Sequence, residues 1–305
     1  MTTHPHEETT GLEAGWLNAW LGSIGVLRLL PNTSLRWDAR GSPKAVFAGV
    51  DRGLAEAVAD ALPSVTDLDG LAIARHRAGC GELPRSVSRK AYGERAAVSR
   101  ANPGDWSLAA TLTDLVPGDE IVHGPFDPAM PRGVTLFERV RSCREKLPSD
   151  PASLVEAVAA TLAGRGGRVQ ANGLGFDVTR SSAAVDASAE VMVDPVVECL
   201  AFEGLQLFPM RGDREQKGGR QRGFASTASR RGAFRWPAWA QPLDLWGVDA
   251  LLDQVSSALL RQQAMPGEVI ERLRRIGVVA LYGSVYQRPR GSADTYRAYG
   301  AERLW

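Results

Sequence analysis

The sequence predicts an α+β fold in which helices pack against a mostly antiparallel sheet. In several segments apolar residues recur at three- and four-residue steps, which is typical of one face of a helix. Elsewhere, short β-prone runs flank turn residues. The strongest of these turn signals is Asn172-Gly173, a dipeptide that favours tight hairpins.

A third observation supports this fold class, because the same order of elements occurs twice. The first half and the second half each run helix, hairpin strands and helix, and the joints read GVLRLLP and GLQLFP. A duplication would give two related helix–hairpin–helix halves around a helical, loop-rich middle region, with helices on one face of the sheet. Chance similarity of two such units is the alternative.

The length of 305 residues allows one large domain or two of ordinary size. We expect a flexible N-terminus over residues 1–10. An N-terminal α+β region with a helical middle segment should span residues 11–165. A C-terminal α+β region should span residues 166–305 and carry a basic loop at 211–235.

The first expected helix lies within residues 11–30, where large apolar residues follow a helical period. Gly22 and Gly25 weaken a helix there. They mark either the close approach of another backbone or the point where helix passes into strand. The next two elements are a hairpin and a helix, expected at residues 38–43 and 53–62.

The middle region is predicted to be rich in loops and helices. Residues 75–105 hold few large apolar side chains, many basic ones and several breakers, which is typical of an exposed loop. Helices are expected at residues 135–147 and 153–164. Asp150 or Ser149 is the expected cap of the second helix, which has a proline near its first turn.

The second half opens with the hairpin signal at residues 168–180 and continues with a short strand. Asp194 is the expected N-cap of the next helix, Pro195 its first residue and Gly204 its end. The remaining expected elements are a long loop, a strand, two helices and a β-prone stretch, at residues 211–231, 233–236, 246–261, 267–276 and 278–287.

Composition excludes several classes of protein. Lys and Arg number 36 and Asp and Glu 35, so global charge predicts neither a nucleic-acid binder nor a membrane-surface protein. Three dispersed cysteines and four histidines favour neither a disulfide framework nor a metal centre. No signal peptide is visible, and the longest apolar run, near residues 24–30, is too short to span a bilayer. We expect a soluble cytoplasmic protein.

Catalytic motifs are missing from the sequence. It has no P-loop, no dinucleotide-binding glycine motif, no nucleophile elbow and no H-E-x-x-H run. The strongest candidate for chemistry is Asp119, Glu120 and His123, which could form a metal-dependent nuclease or hydrolase site. Acidic pairs before a strand are more often solvated caps, and no set supplies nucleophile, base and orienter together. We therefore expect no enzyme and no cofactor.

Local charge is more informative than global charge. Residues 211–235 carry eight cationic and two anionic side chains, a local charge of +6, so that the rest of the chain sums to −5. This segment, rich in Gly and Ser, leads directly into Phe234-Arg235-Trp236. Arginines suit phosphate because the guanidinium donates two hydrogen bonds, and aromatic rings stack on bases. A solvated loop beside core tryptophans is the alternative.

Two further basic stretches accompany this segment. Residues 85–100 have a local charge of +4, and Arg272 and Arg275 share one face of an expected helix with Arg274 nearby. Three basic stretches in an otherwise acidic chain predict a channel or a concave basic face. The candidate nucleic-acid-binding residues are Lys217, Arg220, Arg222, Arg230, Arg231, Arg235, Trp236, Arg85, Arg89, Lys90 and Arg95. Arg235 and Trp236 would anchor the basic loop or stack.

Four segments carry a resemblance to a known family. WLNAWLGSIGVLRLLP, GLGFDVTR, DPVVECLAFEGLQLFP and RRGAFRWPAWAQPL resemble CRISPR-associated proteins of the type I-G (formerly I-U) systems, specifically large-subunit-like or accessory components. The resemblance covers residues 11–62 and 172–252. It implies a non-catalytic subunit of an antiviral, Cascade-like surveillance complex whose partners are other effector subunits and guide RNA or target DNA. In such complexes base pairing reads sequence and protein contacts mainly backbone.

Two alternatives to a nucleic-acid-binding subunit stay open. The chain could be a protein-interaction subunit whose basic loop docks on an acidic neighbour, without contact to nucleic acid. Less favoured is the metal-dependent nuclease at residues 119–123. No membrane and no small-molecule substrate are expected.

Overall fold

The structure is a computed structural model in the α+β class, with helices and antiparallel sheets, as predicted. The structure describes residues 6–63, 86–88, 90, 93–94, 120–122, 136–171, 173–174, 192–208, 222–226, 232–259, 267–287, 297–298 and 301–305.

The first half builds a three-stranded sheet with one helix inserted before the hairpin and one after it. The sheet order is β1-β3-β2, and both pairings are antiparallel. The predicted hairpin at residues 38–43 and helix at residues 53–62 are confirmed. The elements are β1 (Glu7–Glu13), α1 (Leu17–Leu29), β2 (Ser34–Asp38), β3 (Lys44–Ala48) and α2 (Leu54–Ala61).

The start of the chain differs from the prediction. Residues 7–10 lie in β1, so the expected flexible terminus over residues 1–10 is wrong for these four. Thr9 is buried, and its Oγ1 donates to the Ala45 carbonyl at 3.0 Å, which fixes β1 against β3. α1 therefore begins at Leu17, six residues later than expected, because residues 11–13 complete the strand.

The described parts of the middle region include two short strands and two longer helices. The predicted helices at residues 135–147 and 153–164 are confirmed, and Asp150 is the cap: its carboxylate accepts from the Ser153 amide at 2.9 Å. Within the expected loop at residues 75–105, three described residues form a strand. The elements are β4 (Ser86–Ser88), β5 (Glu120–Val122), α3 (Leu136–Arg144) and α4 (Pro151–Leu162).

The second half holds the larger sheet. Its order is β11-β10-β9-β8, and β12 also pairs with β10. The elements are β6 (Val169–Gln170), β7 (Met192–Val193), α5 (Pro195–Leu205), β8 (Phe224–Ser226), β9 (Gly232–Trp239), α6 (Leu245–Leu259), α7 (Gly267–Arg275), β10 (Val278–Gln287), β11 (Arg297–Ala298) and β12 (Glu302–Arg303).

The predictions for the second half are largely confirmed. Asp194 caps α5 by accepting from the amides of Val196 and Val197 at 3.0 and 3.4 Å. The loop expected at residues 211–231 is wrong for residues 224–226, which form β8. The strand before Asn172-Gly173 pairs with β7, whereas the second strand of the hairpin predicted there falls on residues outside the described part of the chain.

The core is organised around α1 and α5, which are buried along nearly their whole length. The two helices run parallel, because contacts advance in the same direction along both. Asn18 meets Glu198, Gly22 meets Ala201, and Gly25 meets Gly204. A helix buried on every side needs neighbours on all faces, and the two sheets and the other helices supply them.

Glycines let the backbones of α1 and α5 touch. A methyl group built on Gly25 would lie 1.9 Å from the carbonyl oxygen of Leu200, and one built on Gly204 would lie 2.1 Å from that of Leu21. No side chain fits in such a gap. Of the two interpretations offered for Gly25, close approach of another backbone is therefore the right one.

Aromatic side chains bind the two halves to each other through reciprocal hydrogen bonds. Trp20 in α1 donates to the Pro237 carbonyl at 2.8 Å, and Trp236 in β9 donates to the Ala14 carbonyl at 2.7 Å. β2 also pairs with the chain that follows β9, where the amides and carbonyls of Leu35 and Leu243 exchange hydrogen bonds of 2.8 and 3.0 Å. Both halves therefore share one core.

Candidate nucleic-acid interface

Residues 211–235, the basic loop of the sequence analysis, form the Arg-rich segment. Its described part contains the antiparallel pair β8–β9, in which Phe224 lies opposite Phe234. Gly223 precedes β8 with φ +78°, a conformation that favours glycine. Its carbonyl accepts from the Arg235 amide at 2.8 Å, and its own amide donates to the Ser256 hydroxyl at 3.2 Å. Gly223 thus joins the middle of the segment to both β9 and α6.

Arg222 is a structural residue. It is 6% exposed and donates from Nη1 to the Asp249 carbonyl at 2.9 Å and from Nη2 to the Leu207 carbonyl at 3.1 Å. Its guanidinium also pairs with the Asp249 carboxylate and lies 3.5 Å from that of Asp253. These partners occupy the guanidinium, so the prediction that Arg222 contacts phosphate is wrong for this conformation.

The bond from Arg222 to Leu207 also joins two points that are distant in sequence. Residues 207 and 222 are neighbours in space, although 14 residues separate them in sequence. The two ends of the intervening chain therefore lie beside each other. Of that chain, only Phe208, which is buried in the core, is among the described residues.

Trp236 belongs to the aromatic core and is fully buried. Its ring is nearly parallel to the rings of Phe234 and Tyr282, with centroids 5.6 and 6.1 Å away. The prediction that Trp236 stacks on a base is wrong, because the ring is fully buried among core residues. Its alternative role as an anchor fits the structure, since its indole nitrogen bonds to the first half.

Arg235 occupies the other face of β9. It lies between buried Phe234 and Trp236 in sequence, and side chains alternate across a strand. Arg235 is partly exposed, opposite Gly283 of β10, and partial burial lowers the pKa of its guanidinium. Of the three predicted residues that are described between residues 211 and 235, Arg235 is partly exposed, whereas Arg222 and Trp236 are buried.

Of the other predicted residues, one is described and the rest are not. Lys90 is described and exposed. The remaining predicted residues lie outside the described part of the chain: Lys217, Arg220, Arg230, Arg231, Arg85, Arg89 and Arg95. The predicted channel or concave basic face depends mostly on these residues and stays a prediction.

The third basic stretch forms an exposed helical surface on α7. Arg274 and Arg275 lie 4.0 and 3.5 Å from the carboxylate of Glu271 on the same helix. The guanidinium of Arg274 also lies over the ring of Trp305, 5.2 Å from its centroid. Arg272 is exposed. A single carboxylate thus offsets part of the positive charge of this helix.

Sequence reasoning missed a buried polar cluster around Glu198. The carboxylate accepts from the Leu174 amide at 2.6 Å and from the Asn18 side chain. Burial raises the pKa of Glu198 to about 7, a shift to which nearby Asp194 adds and which Arg139 opposes. The signal in the sequence was a lone acidic residue inside the apolar run PVVECLAF, since such a residue needs partners when buried.

A second carboxylate of α5, Glu203, forms a buried ion pair with Arg144 of α3 at 2.9 Å. Arg28 of α1 lies 3.5 Å from its other oxygen, and Gln206 donates to that oxygen at 2.8 Å. Together Glu198 and Glu203 attach α1, α3 and residues 173–174 to α5. The cluster serves packing, because buried charges persist only when they are paired.

The described residues offer little to a metal or a nucleophilic mechanism. They contain no group of three His, Cys, Asp or Glu side chains that could hold a metal. Cys143 and Cys199 are free and buried, and burial raises the pKa of both thiols, so they are poor nucleophiles. For the nuclease alternative, Glu120 lies in β5, while Asp119 and His123 are outside the described part of the chain.

Comparison with known proteins identifies no relative: no family model, no curated protein and no solved structure matches this chain. Across the described ranges, each helix is either too short or too polar to cross a membrane.

Proposed function

We propose that this protein is a non-catalytic, nucleic-acid-binding subunit of a type I-G CRISPR RNA-guided complex in the cytoplasm. Its partners would be the other effector subunits and guide RNA or target DNA. The observation that carries the proposal is the concentration of charge between residues 211 and 235, at +6, in a chain whose remainder is −5. A polyanion would neutralise the repulsion among these side chains.

The described residues support a division of labour within that segment. Arg222 and Trp236 serve the fold, because both are buried and hydrogen-bonded to it. The proposed phosphate contacts are therefore the remaining residues, with Arg235 at the base. They are Lys217, Arg220, Arg230 and Arg231, with Arg85, Arg89, Lys90 and Arg95 as an auxiliary surface.

The experiment replaces Arg220, Arg230 and Arg231 together by Ala and titrates fluorescent duplex DNA and guide-like RNA at two salt concentrations. Losing three phosphate contacts should weaken binding and reduce the slope of log affinity against log salt by up to about 3. The matched control replaces three exposed arginines elsewhere, Arg40, Arg52 and Arg165. Equal affinities and equal slopes for wild type and the test variant would refute the proposal.

A scaffold subunit that contacts only protein is the second candidate. It is favoured by Arg222, whose guanidinium already binds the carboxylates of Asp249 and Asp253. The same chemistry would let the other arginines dock on an acidic neighbour. A pull-down from nuclease-treated lysate separates the two functions: partners that persist after nuclease treatment favour the scaffold, and partners that are lost favour nucleic acid.

A further inference from the structure

Trp246 lies in the first turn of α6, and its exposed fraction is 77%. Other tryptophans of the described chain, such as Trp20 and Trp239, are buried in the core. Among the described large apolar residues, Met192 and Leu304 are the other exposed ones, and each exposes less than two fifths of its surface. Trp246 therefore presents a nearly complete indole to solvent.

Packing of α6 does not account for this residue. The core side of the helix consists of buried aliphatic residues. Trp246 lies on the opposite side, together with Asp249, Ala250 and Asp253, which follow it by three, four and seven residues. The buried residues of the core side are Val248, Leu251, Leu252 and Val255. A large aromatic side chain that is exposed on an otherwise mostly polar helix face is a frequent mark of an interaction site.

Carboxylates surround the exposed indole. Asp244 caps α6 by accepting from the Gly247 amide at 2.8 Å and is itself exposed. The side chains of Asp249 and Asp253 are 34% and 46% exposed on the same face as Trp246. Among the described residues, Arg222 pairs with Asp249 and Asp253, and its own side chain is buried. The described part of this face therefore carries three carboxylates and one guanidinium.

We propose that Trp246, with Asp249 and Asp253, is a docking surface for an arginine-containing segment of a partner protein. A guanidinium can stack on the indole face while it lies close to the carboxylates of the same helix face. Arg222 shows the same recognition within the chain, since the two carboxylates already bind its guanidinium. Phosphates would be repelled by the three carboxylates, so the charges favour a cationic polypeptide over a nucleic acid.

The test uses the full chain and a fluorescent peptide of four arginines separated by glycines. Trp246→Ala should weaken binding at least fivefold, because one stacked cation is lost. The matched control is Leu304→Ala, which truncates another exposed apolar residue and should leave the affinity within twofold. Asp253→Asn should weaken binding severalfold, whereas the equally charge-changing Glu268→Gln on α7 should not. Trp246→Phe keeps a ring and should retain part of the affinity.

Two outcomes would overturn the proposal. One is equal affinity of wild type and Trp246→Ala for the arginine peptide, with unchanged thermal unfolding of both proteins. The other is a selective loss of binding to single-stranded oligothymidine in Trp246→Ala, which would assign the indole to base stacking instead. A matched lysine peptide that binds more weakly than the arginine peptide would support stacking by a planar guanidinium.

Discussion

The helices α1 and α5 make reciprocal contacts at the centre of the molecule, yet the chain that follows each one differs. Gly25 approaches the Leu200 carbonyl, and Gly204 approaches the Leu21 carbonyl, so each helix offers its glycine to the other. After α1, four residues lead to β2. After α5, residues 206–223 lead to β8, and this connection contains much of the Arg-rich segment.

The difference distinguishes the helices and strands that the two halves share from the long connection at residues 206–223. Both helices are followed by an antiparallel strand pair and a helix, so the scaffold needs only a short connection at this point. The longer connection after α5 is closed at its ends by Arg222, which bonds to Leu207. A segment closed in this way can carry charge without contributing to the core. Whether the two halves arose by duplication stays a prediction.

The two helices also differ in the polar groups that they bury. In α1, Asn18 and Ser23 are neutral, and Ser23 bonds within its own helix. In α5, Glu198 and Glu203 are acidic, and they bond to α1, to α3 and to the Leu174 amide. We infer that α5 organises its neighbours through charge, whereas α1 does so through apolar surface.

The largest expected loss of stability comes from substitutions that break the close contact between α1 and α5. Gly25→Ala and Gly204→Ala should each lower the free energy of unfolding by at least about 3 kcal/mol, because the new methyl group meets a backbone carbonyl that cannot move alone. Urea unfolding of both variants measures this. Because the contact is reciprocal, the two losses should be similar.

Gly22→Ala is the matched control in the same interface. Its methyl group would lie 3.4 Å from the Leu200 Cβ, an ordinary contact, and alanine favours a helix more than glycine does. Stability should be unchanged or slightly higher. If Gly25→Ala or Gly204→Ala behaves like Gly22→Ala, the close parallel approach of α1 and α5 is wrong.

The next largest expected effect is the pH dependence of stability that the buried Glu198 of α5 causes. The pKa of Glu198 is about 7 in the folded chain and 4.5 ordinarily, so as pH rises from 4.5 to 7 the unfolded state ionises before the folded state does. The stability that this group contributes is therefore complete below pH 4.5 and is lost as pH rises through 7. The loss amounts to about 3 kcal/mol.

Glu198→Gln removes this ionisation and should abolish that share of the pH dependence. Asn18 Oδ1, for which the structure shows no partner, can accept from the new amide after the Asn18 side chain rotates. Urea unfolding at about pH 4 and about pH 8 should show wild type losing about 3 kcal/mol more than the variant. Parallel pH profiles for the two proteins would show that Glu198 is not buried as described.

The smallest effect concerns the closure of the Arg-rich segment. Arg222→Ala should lower the free energy of unfolding by about 2 kcal/mol, because it leaves the Leu207 carbonyl and the half-exposed Asp249 without their cation. Arg275→Ala, on the exposed side of α7, should change stability by less than about 0.5 kcal/mol. Thermal or urea unfolding distinguishes the two variants. Identical stabilities would mean that Arg222 is not a structural residue.

Local patterns predicted much of the fold. Asp194 before Pro195 and Asp150 before Pro151 marked two helix starts, because carboxylates cap the free amides of a first turn. The strand expected at residues 233–236 is likewise present, within β9. Gly25 could be flagged as an unusual helix residue, but its partner backbone on α5 lies far away in sequence.

The candidate site was harder to predict because burial depends on distant partners. Arg222 looks like any other arginine of its segment, and its carboxylate partner Asp249 lies 27 residues further along the chain. Likewise, Trp236 follows an arginine and is buried, whereas Trp246 follows a leucine and is exposed, so the sequence neighbours do not indicate burial. Only the tertiary structure separates the structural from the accessible members of such sets.

The most direct test of the central claim replaces residues 210–221 by a short Gly-Ser linker and measures nucleic-acid affinity at two salt concentrations. Because Leu207 and Arg222 are neighbours, a short linker spans the gap and unfolding should remain close to that of wild type. We predict that affinity falls and its salt dependence flattens. A stably folded variant that binds duplex and single strands as wild type does, at both salt concentrations, would contradict the separation of scaffold and binding segment.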